Sequence, residues 1–178
     1  MQLEELKDKA DELHAKHKGK HCLRVCMGTG CLSSKSDQIK TALETEVKSA
    51  GCGDTVEVKR VGCFGLCAMG PMVSVDDGKT LYKSVTPDNA QAIVQGVQNE
   101  RPVQHLVCDT NVPFFQRQQK IVLENAGRVD PEDVEDYIAS GGYQALLKAV
   151  TEMTPAQVVE QITISGLRGA AARASRRA

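Results

Sequence analysis

Apolar residues recur every three or four positions at the start of the chain, at Leu3, Leu6, Ala10 and Leu13, with Glu, Lys and Asp between them. That spacing puts them on one face of a helix over 2–18, free to pack or to bind a neighbour. At 21–26 the pattern changes. H-C-L-R-V-C reads as a strand that runs straight into a loop carrying Cys26 and Cys31. Residues 36–50 return to helical spacing, opened by Ser36 and closed by Gly51. T-V-E-V-K-R-V at 55–61 alternates again and delivers a second loop with Cys63 and Cys67. Two short strands, 72–76 and 80–85, are joined across Asp77-Gly78, a turn dipeptide that predicts a hairpin. Thr86-Pro87 opens a further helix to Gln98. The order β-α-β-β-β-α, with both cysteine loops at strand ends, predicts a small α/β sandwich whose rim carries the chemistry. Pro71 stands immediately before a strand, and the sequence leaves its isomer open.

From Asn99 to Pro113 the periodicity fails, and the stretch reads as a linker with a short apolar anchor. A second unit follows. Segments 114–128, 131–140, 142–152 and 155–165 have helical periodicity, broken at Gly127, at Gly141-Gly142 and at Thr154-Pro155, where threonine caps and proline takes the first helical position. The chain shows no internal repeat and no low-complexity run.

Composition narrows the function. Aromatic residues make up 3% of the 178 residues and Trp is absent, so the stacking platforms of single-strand nucleic-acid binders are missing. A net charge of −1 provides no field to steer the chain to phosphate backbones or anionic membranes. The polar N-terminus lacks the apolar core of a signal peptide, and no later stretch approaches the roughly 18 apolar residues of a membrane span. A cytoplasmic, soluble protein is expected. Seven cysteines in a reducing compartment then indicate metal ligation for some and burial for the rest.

Cys26, Cys31, Cys63 and Cys67 form the spacing C-x4-C and C-x3-C, each pair on a glycine-bearing loop. Four soft thiolates so placed make a cage for a metal centre. Zinc sites with four cysteines favour tighter C-x2-C knuckles, and the looser grip here suits the two irons of a [2Fe-2S] cluster. Zinc, disulfides and four unliganded thiols are the other readings. Backbone N–H groups of Gly28, Gly30 and Gly65 are placed to hydrogen-bond the sulfurs. Cys22 falls inside a strand and reads as a core thiol; Cys52 and Cys108 read as unliganded. His14, His17 and His21 cluster in a lysine-rich setting and read as solvated surface. Met27, Met69 and Met72 flank the cysteine loops and would keep water from a cluster.

On C-x4-C, C-x3-C and the G-P-M-V after the last cysteine, residues 20–98 resemble the thioredoxin-like [2Fe-2S] ferredoxin family, which also supplies an iron–sulfur subunit of respiratory complex I. The stretch from P-F-F-Q-R-Q-Q-K-I-V-L-E-N-A-G-R-V-D-P to S-G-L-R-G resembles the helical lead-in of the NADH-oxidising flavoprotein (diaphorase) subunit of bidirectional NAD-linked hydrogenases, formate dehydrogenases and complex I. The resemblance implies an α/β thioredoxin-like [2Fe-2S] ferredoxin domain followed by a small all-helical segment. The implied division is an N-terminal helix over 1–19, the ferredoxin domain over 20–98, a linker over 99–113, the flavoprotein lead-in over 114–169 and a tail over 170–178. It implies electron transfer through a [2Fe-2S] cluster on Cys26, Cys31, Cys63 and Cys67. Other iron–sulfur subunits of an NAD-linked complex would be the partners, with neither nucleic acid nor membrane insertion. FMN and NAD would belong to the intact parent, an NADH:acceptor oxidoreductase.

One departure stands out. After S-G-L-R-G the family continues R-G-G-A-G-F-P-T-G, the loop that approaches flavin and nucleotide, whereas this chain reads A-A-A-R-A-S-R-R-A to Ala178. Gly166, Arg168 and Gly169 precede that loop, and without consecutive glycine N–H groups they form no phosphate cradle. Written in GC-rich codons, the family stretch with its first base deleted encodes each residue from Ala170 to Ala178 and then a stop. A frameshift product lacking the flavin and NADH site, with no catalytic residue of its own, is therefore expected. The plainer reading of the tail is a basic arm for an acidic partner. The rival function is a metal-free or zinc-loaded interaction module that docks a partner through its N-terminal helix and helical tail.

Overall fold

The computed structural model describes residues 3–167. Helix α1, Leu3–His17, leads into β1, His21–Cys26; a short α2, Thr29–Ser33, lies inside the first cysteine loop and is followed by α3, Ser36–Ser49. Strand β2, Val56–Val61, the hairpin strands β3, Val73–Val75, and β4, Thr80–Tyr82, and helix α4, Ala90–Gln98, complete the ferredoxin-like unit. The order of strands across the sheet is β2-β1-β3-β4, with β1 parallel to β2 and both later pairings antiparallel.

Strand alternation sorts the two faces of this sheet. Leu23, Val25, Val73, Val75 and Tyr82 point to one side, where Ile39, Leu43 and Val47 of α3 and Ile93, Val94 and Val97 of α4 close the main core. Cys26, Met72 and Leu81 point to the other side and form a second, smaller core with Cys31 and Cys108. The main core follows from the sequence pattern alone, because period 2 in the strands meets period 3.6 in the helices. The second core does not, since Cys108 comes from the stretch read as a linker. Leu106 and Cys108 are that stretch's apolar anchor. Cys108 N–H donates to the Leu81 carbonyl at 2.7 Å, and Val107 bridges Tyr82, so the chain runs on along the sheet's β4 edge.

Thr86 and Asn89 form a capping box ahead of α4, as the Thr86-Pro87 signal predicts. The Gly70–Pro71 bond is cis. Ser36 is the first helical residue of α3 rather than its cap, and its buried hydroxyl donates to Met27 Sδ at 3.7 Å.

The second unit departs from its expected pattern. Four short helices are present: α5, Pro113–Gln116; α6, Val134–Ala139; α7, Gln144–Glu152; and α8, Pro155–Ser165. The helix expected over 114–128 stops after one turn, and the chain from 117 to 129 is irregular backbone, bends and turns. A helix that short depends on a packed apolar face. Ile121, Val122 and Leu123 are consecutive, cover no single face, and stay 64–82% exposed. Thr154 and Gln157 form the second capping box, at α8, with Pro155 at its first helical position. Beyond residue 112 the buried positions among the described residues are Gly127 and Gly142. The unit is held from outside instead: the buried face of α1, with Leu6, Ala10 and Leu13, packs against α6 and α7. No helix among the described residues is long and apolar enough to cross a membrane.

Candidate metal centre

Four thiols reach the same rim of the sheet by four different routes. Cys26 ends β1, and its N–H donates to the Met72 carbonyl at 3.1 Å. Cys31 sits in α2, a helix that forms because Leu32 N–H returns to the Gly28 carbonyl at 3.0 Å. Cys63 follows β2, and Cys67 opens a single 3-10 turn, Cys67–Met69, that ends at the cis proline. Cys26 and Cys31 are buried, whereas Cys63 and Cys67 are exposed.

The glycines between them show how close the loops come. A Cβ on Gly28 would lie 2.9 Å from Cys63 Cβ and 3.0 Å from its Sγ; one on Gly70 would lie 3.0 Å from Cys31 Sγ, and one on Gly30 3.4 Å from Cys67 Sγ. Three glycines therefore line the space around three of the sulfurs; a Cβ would crowd them at Gly28 and Gly70 and come into contact at Gly30. Gly65 N–H donates to Cys63 Sγ at 3.3 Å, as the sequence reading expects; Gly28 and Gly30 matter because they lack a Cβ.

Charge tells the same story. Burial, with the neighbouring Cys26 and Cys67 thiols adding to it, pushes the Cys31 thiol up to about 12. Sulfurs that oppose each other's ionisation become thiolates together when a cationic metal core supplies the missing positive charge. The donor set of four soft sulfurs fits iron–sulfur chemistry. Among the described residues no group of three or more His, Cys, Asp or Glu side chains is placed to hold a single metal ion.

The remaining singled-out residues fall into place around this rim. Cys22, Cys52 and Cys108 are buried. Burial pushes the Cys22 thiol up to about 12. Met72 is fully buried beside Cys26 and Cys31, Met69 packs on the same small core, and Met27 packs on the main core. His17 and His21 each meet a carboxylate at 2.7 Å, Glu57 and Asp76 respectively, and His14 is exposed. Gly166 caps α8 with φ 65°; Arg168, Gly169 and the tail from Ala170 to Ala178 lie outside the described residues.

Sequence reasoning missed one neighbour of the rim. Phe64, inside the second cysteine loop, lies against Gly127, whose Cβ would fall 2.4 Å from the ring. The glycine read as a helix break is a packing position, and nothing in the local pattern signals a contact across that distance in sequence.

Residues 11–98 match the model of the thioredoxin-like [2Fe-2S] ferredoxin family. The chain is 34% identical over 77 residues to "Ferredoxin, 2Fe-2S" of Clostridium pasteurianum, covering 43% of this chain and 76% of that protein. It is 51% identical over 53 residues to the NADP-reducing hydrogenase subunit HndC of Solidesulfovibrio fructosivorans, covering 30% of this chain and 11% of HndC. With HndA of the same organism, also an NADP-reducing hydrogenase subunit, it shares 33% identity over 82 residues, covering 43% of this chain and 46% of HndA. The chain thus spans less than half the length of either hydrogenase subunit.

Proposed function

The chain belongs to the thioredoxin-like [2Fe-2S] ferredoxin family, and on that premise we propose that Cys26, Cys31, Cys63 and Cys67 hold a [2Fe-2S] cluster through which it transfers single electrons. The observation that carries this reading is the convergence of the two cysteine loops, with Gly28, Gly30 and Gly70 clearing space at the sulfurs of Cys63, Cys67 and Cys31. When bound, the cluster supplies a one-electron redox couple. The chain's own residues set its surroundings. Met72 and Leu81 keep water from Cys26 and Cys31, Gly65 N–H donates to the Cys63 sulfur, and exposed Cys63 and Cys67 mark the side open to a redox partner.

We further propose that the chain is the N-terminal part of an NADH-oxidising flavoprotein (diaphorase) subunit of a hydrogenase- or formate-dehydrogenase-type complex in the cytoplasm. Its partners would be other iron–sulfur subunits, and FMN and NAD would be held by the longer parent. The identity with HndC supports this, as does the frameshift arithmetic for Ala170 to Ala178.

Iron and acid-labile sulfide per chain, with an electron paramagnetic resonance signal on reduction, test the cluster. Cys26→Ser, Cys31→Ser, Cys63→Ser and Cys67→Ser should each lose or strongly destabilise it, and Cys22→Ser, Cys52→Ser and Cys108→Ser should keep it. A colourless zinc protein, or full loading of Cys67→Ala, overturns the assignment. Sequencing through the codons for Gly169 to Ala178 tests the parent: the shifted frame should open into a glycine-rich loop, and restoring one base should give a longer protein that retains FMN and oxidises NADH.

A further inference from the structure

The second cysteine loop is held by a segment that lies outside the ferredoxin-family match at 11–98. Residues 125–136 cross the β2 edge of the sheet and run along it. Gly62 N–H, one residue before Cys63, donates to the Val129 carbonyl at 3.3 Å. Arg60 donates to Glu132 at 2.6 Å and its Nε lies 3.6 Å from Asp130, and Lys59 pairs with Asp136. Asp136 in turn accepts the Asp130 N–H at 2.6 Å, which ties the segment to itself at the point where it meets the strand.

The fixed point is Gly127. It is buried with φ +79°, and the Phe64 ring occupies the place a Cβ would take. The ring also lines a cavity of about 450 Å³ together with Leu66, Phe115 and Gly127 itself. Phe64 thus packs on the second core with part of its ring and meets the Gly127 backbone with another, so a displacement at Gly127 is passed to the loop that carries Cys63 and Gly65.

We propose that residues 125–136 are a strap that positions the Cys63–Cys67 loop, with Gly127 as its positioning residue, so that the redox site is completed from beyond the ferredoxin unit. The proposal rests on the reading of Cys63 and Cys67 as cluster ligands. Loosening the strap opens the already exposed Cys63–Cys67 side further to water. Water stabilises the more highly charged reduced state, so the midpoint potential moves up.

The test uses the full chain, first without and then with its cluster. Gly127→Ala adds the Cβ that meets Phe64. Gly141→Ala is the control: Gly141 has φ +83°, and its added Cβ meets only the end of Gln144 at 3.9 Å, so it carries the same backbone strain away from the loop. The double variant D130N/E132Q loosens the strap without touching Gly127 or the loop. In the cluster-free chain, Gly127→Ala and D130N/E132Q should speed amide hydrogen exchange at residues 62–66 by about tenfold or more, with Gly141→Ala unchanged there. In the loaded chain the first two should raise the midpoint potential. Exchange at 62–66 that is the same in Gly127→Ala and Gly141→Ala, and unmoved in D130N/E132Q, overturns the strap. A chain that never loads iron refutes the cluster reading instead, while the exchange result still decides the strap.

Discussion

Replacing Gly28 by Ala isolates the steric demand of the thiolate site. Gly28 has φ −62° and ψ 149°, extended backbone that any residue adopts, so the change adds no backbone strain. The new Cβ would lie 2.9 Å from Cys63 Cβ. Carbon atoms pack best at about 3.5–4.0 Å, so the two cysteine loops must part by roughly 0.6–1.1 Å. Overpacking of that kind costs about 1–3 kcal/mol. In the metal-free chain Cys63 is on an exposed loop and yields, which puts the cost near the bottom of that range, about 1 kcal/mol. When four thiolates must meet one cluster the loops cannot part, so the loaded chain bears up to about 3 kcal/mol, and the difference from the metal-free chain, up to about 2 kcal/mol, corresponds to as much as roughly 30-fold weaker retention. The assay is anaerobic reconstitution followed by challenge with an iron chelator, read by visible absorbance. Gly53→Ala is the matched control, because its added Cβ meets nothing within 4 Å. If Gly28→Ala holds its cluster as well as Gly53→Ala, the two loops do not converge as described. Equal destabilisation of the metal-free and loaded chains would assign the cost to general packing.

Further outcomes follow from the same geometry. Burial raises the Asp76 carboxyl, but His21 and the Cys22 N–H outweigh it and hold the pKa below its usual 3.8. Its contribution to stability is therefore complete above that value and is lost as pH falls through the lower, folded-state pKa; Asp76→Asn should flatten that acid limb in thermal melts. Leu43→Ala, at a fully buried position of the main core, should cost about 2–5 kcal/mol in urea unfolding of the metal-free chain, and a loss under about 1 kcal/mol would contradict the packing described. With its pKa at about 12, the Cys22 thiol is only about one part in ten thousand thiolate near pH 8, so iodoacetamide should label Cys63 long before Cys22 in the folded metal-free chain. Trypsin should cut first at Arg117 and Lys120, in the exposed turns after α5, and later at Arg101, whose N–H is bonded to the Gly96 carbonyl at 2.8 Å.

Local chemistry was legible in the chain. Alternation marked β1 and β2, Asp77-Gly78 marked the hairpin, and the threonine–proline pairs marked the starts of the turn before α4 and of α8, because each signal lies within a few residues and acts on the backbone directly. The two cysteine spacings belong to the same class: the separation open to two thiols on one loop is fixed by the loop's length. Tertiary structure decided what sequence neighbours cannot specify. It set the strand order β2-β1-β3-β4 and buried Cys108 beside Cys26. It also left 117–129 without a helix, since one there had no surface to bury Ile121, Val122 and Leu123. The closeness of Gly28 to Cys63, of Gly70 to Cys31 and of Gly127 to Phe64 is of this second kind. A glycine's missing side chain counts only against whatever the fold brings to it, and those partners arrive from distant parts of the chain.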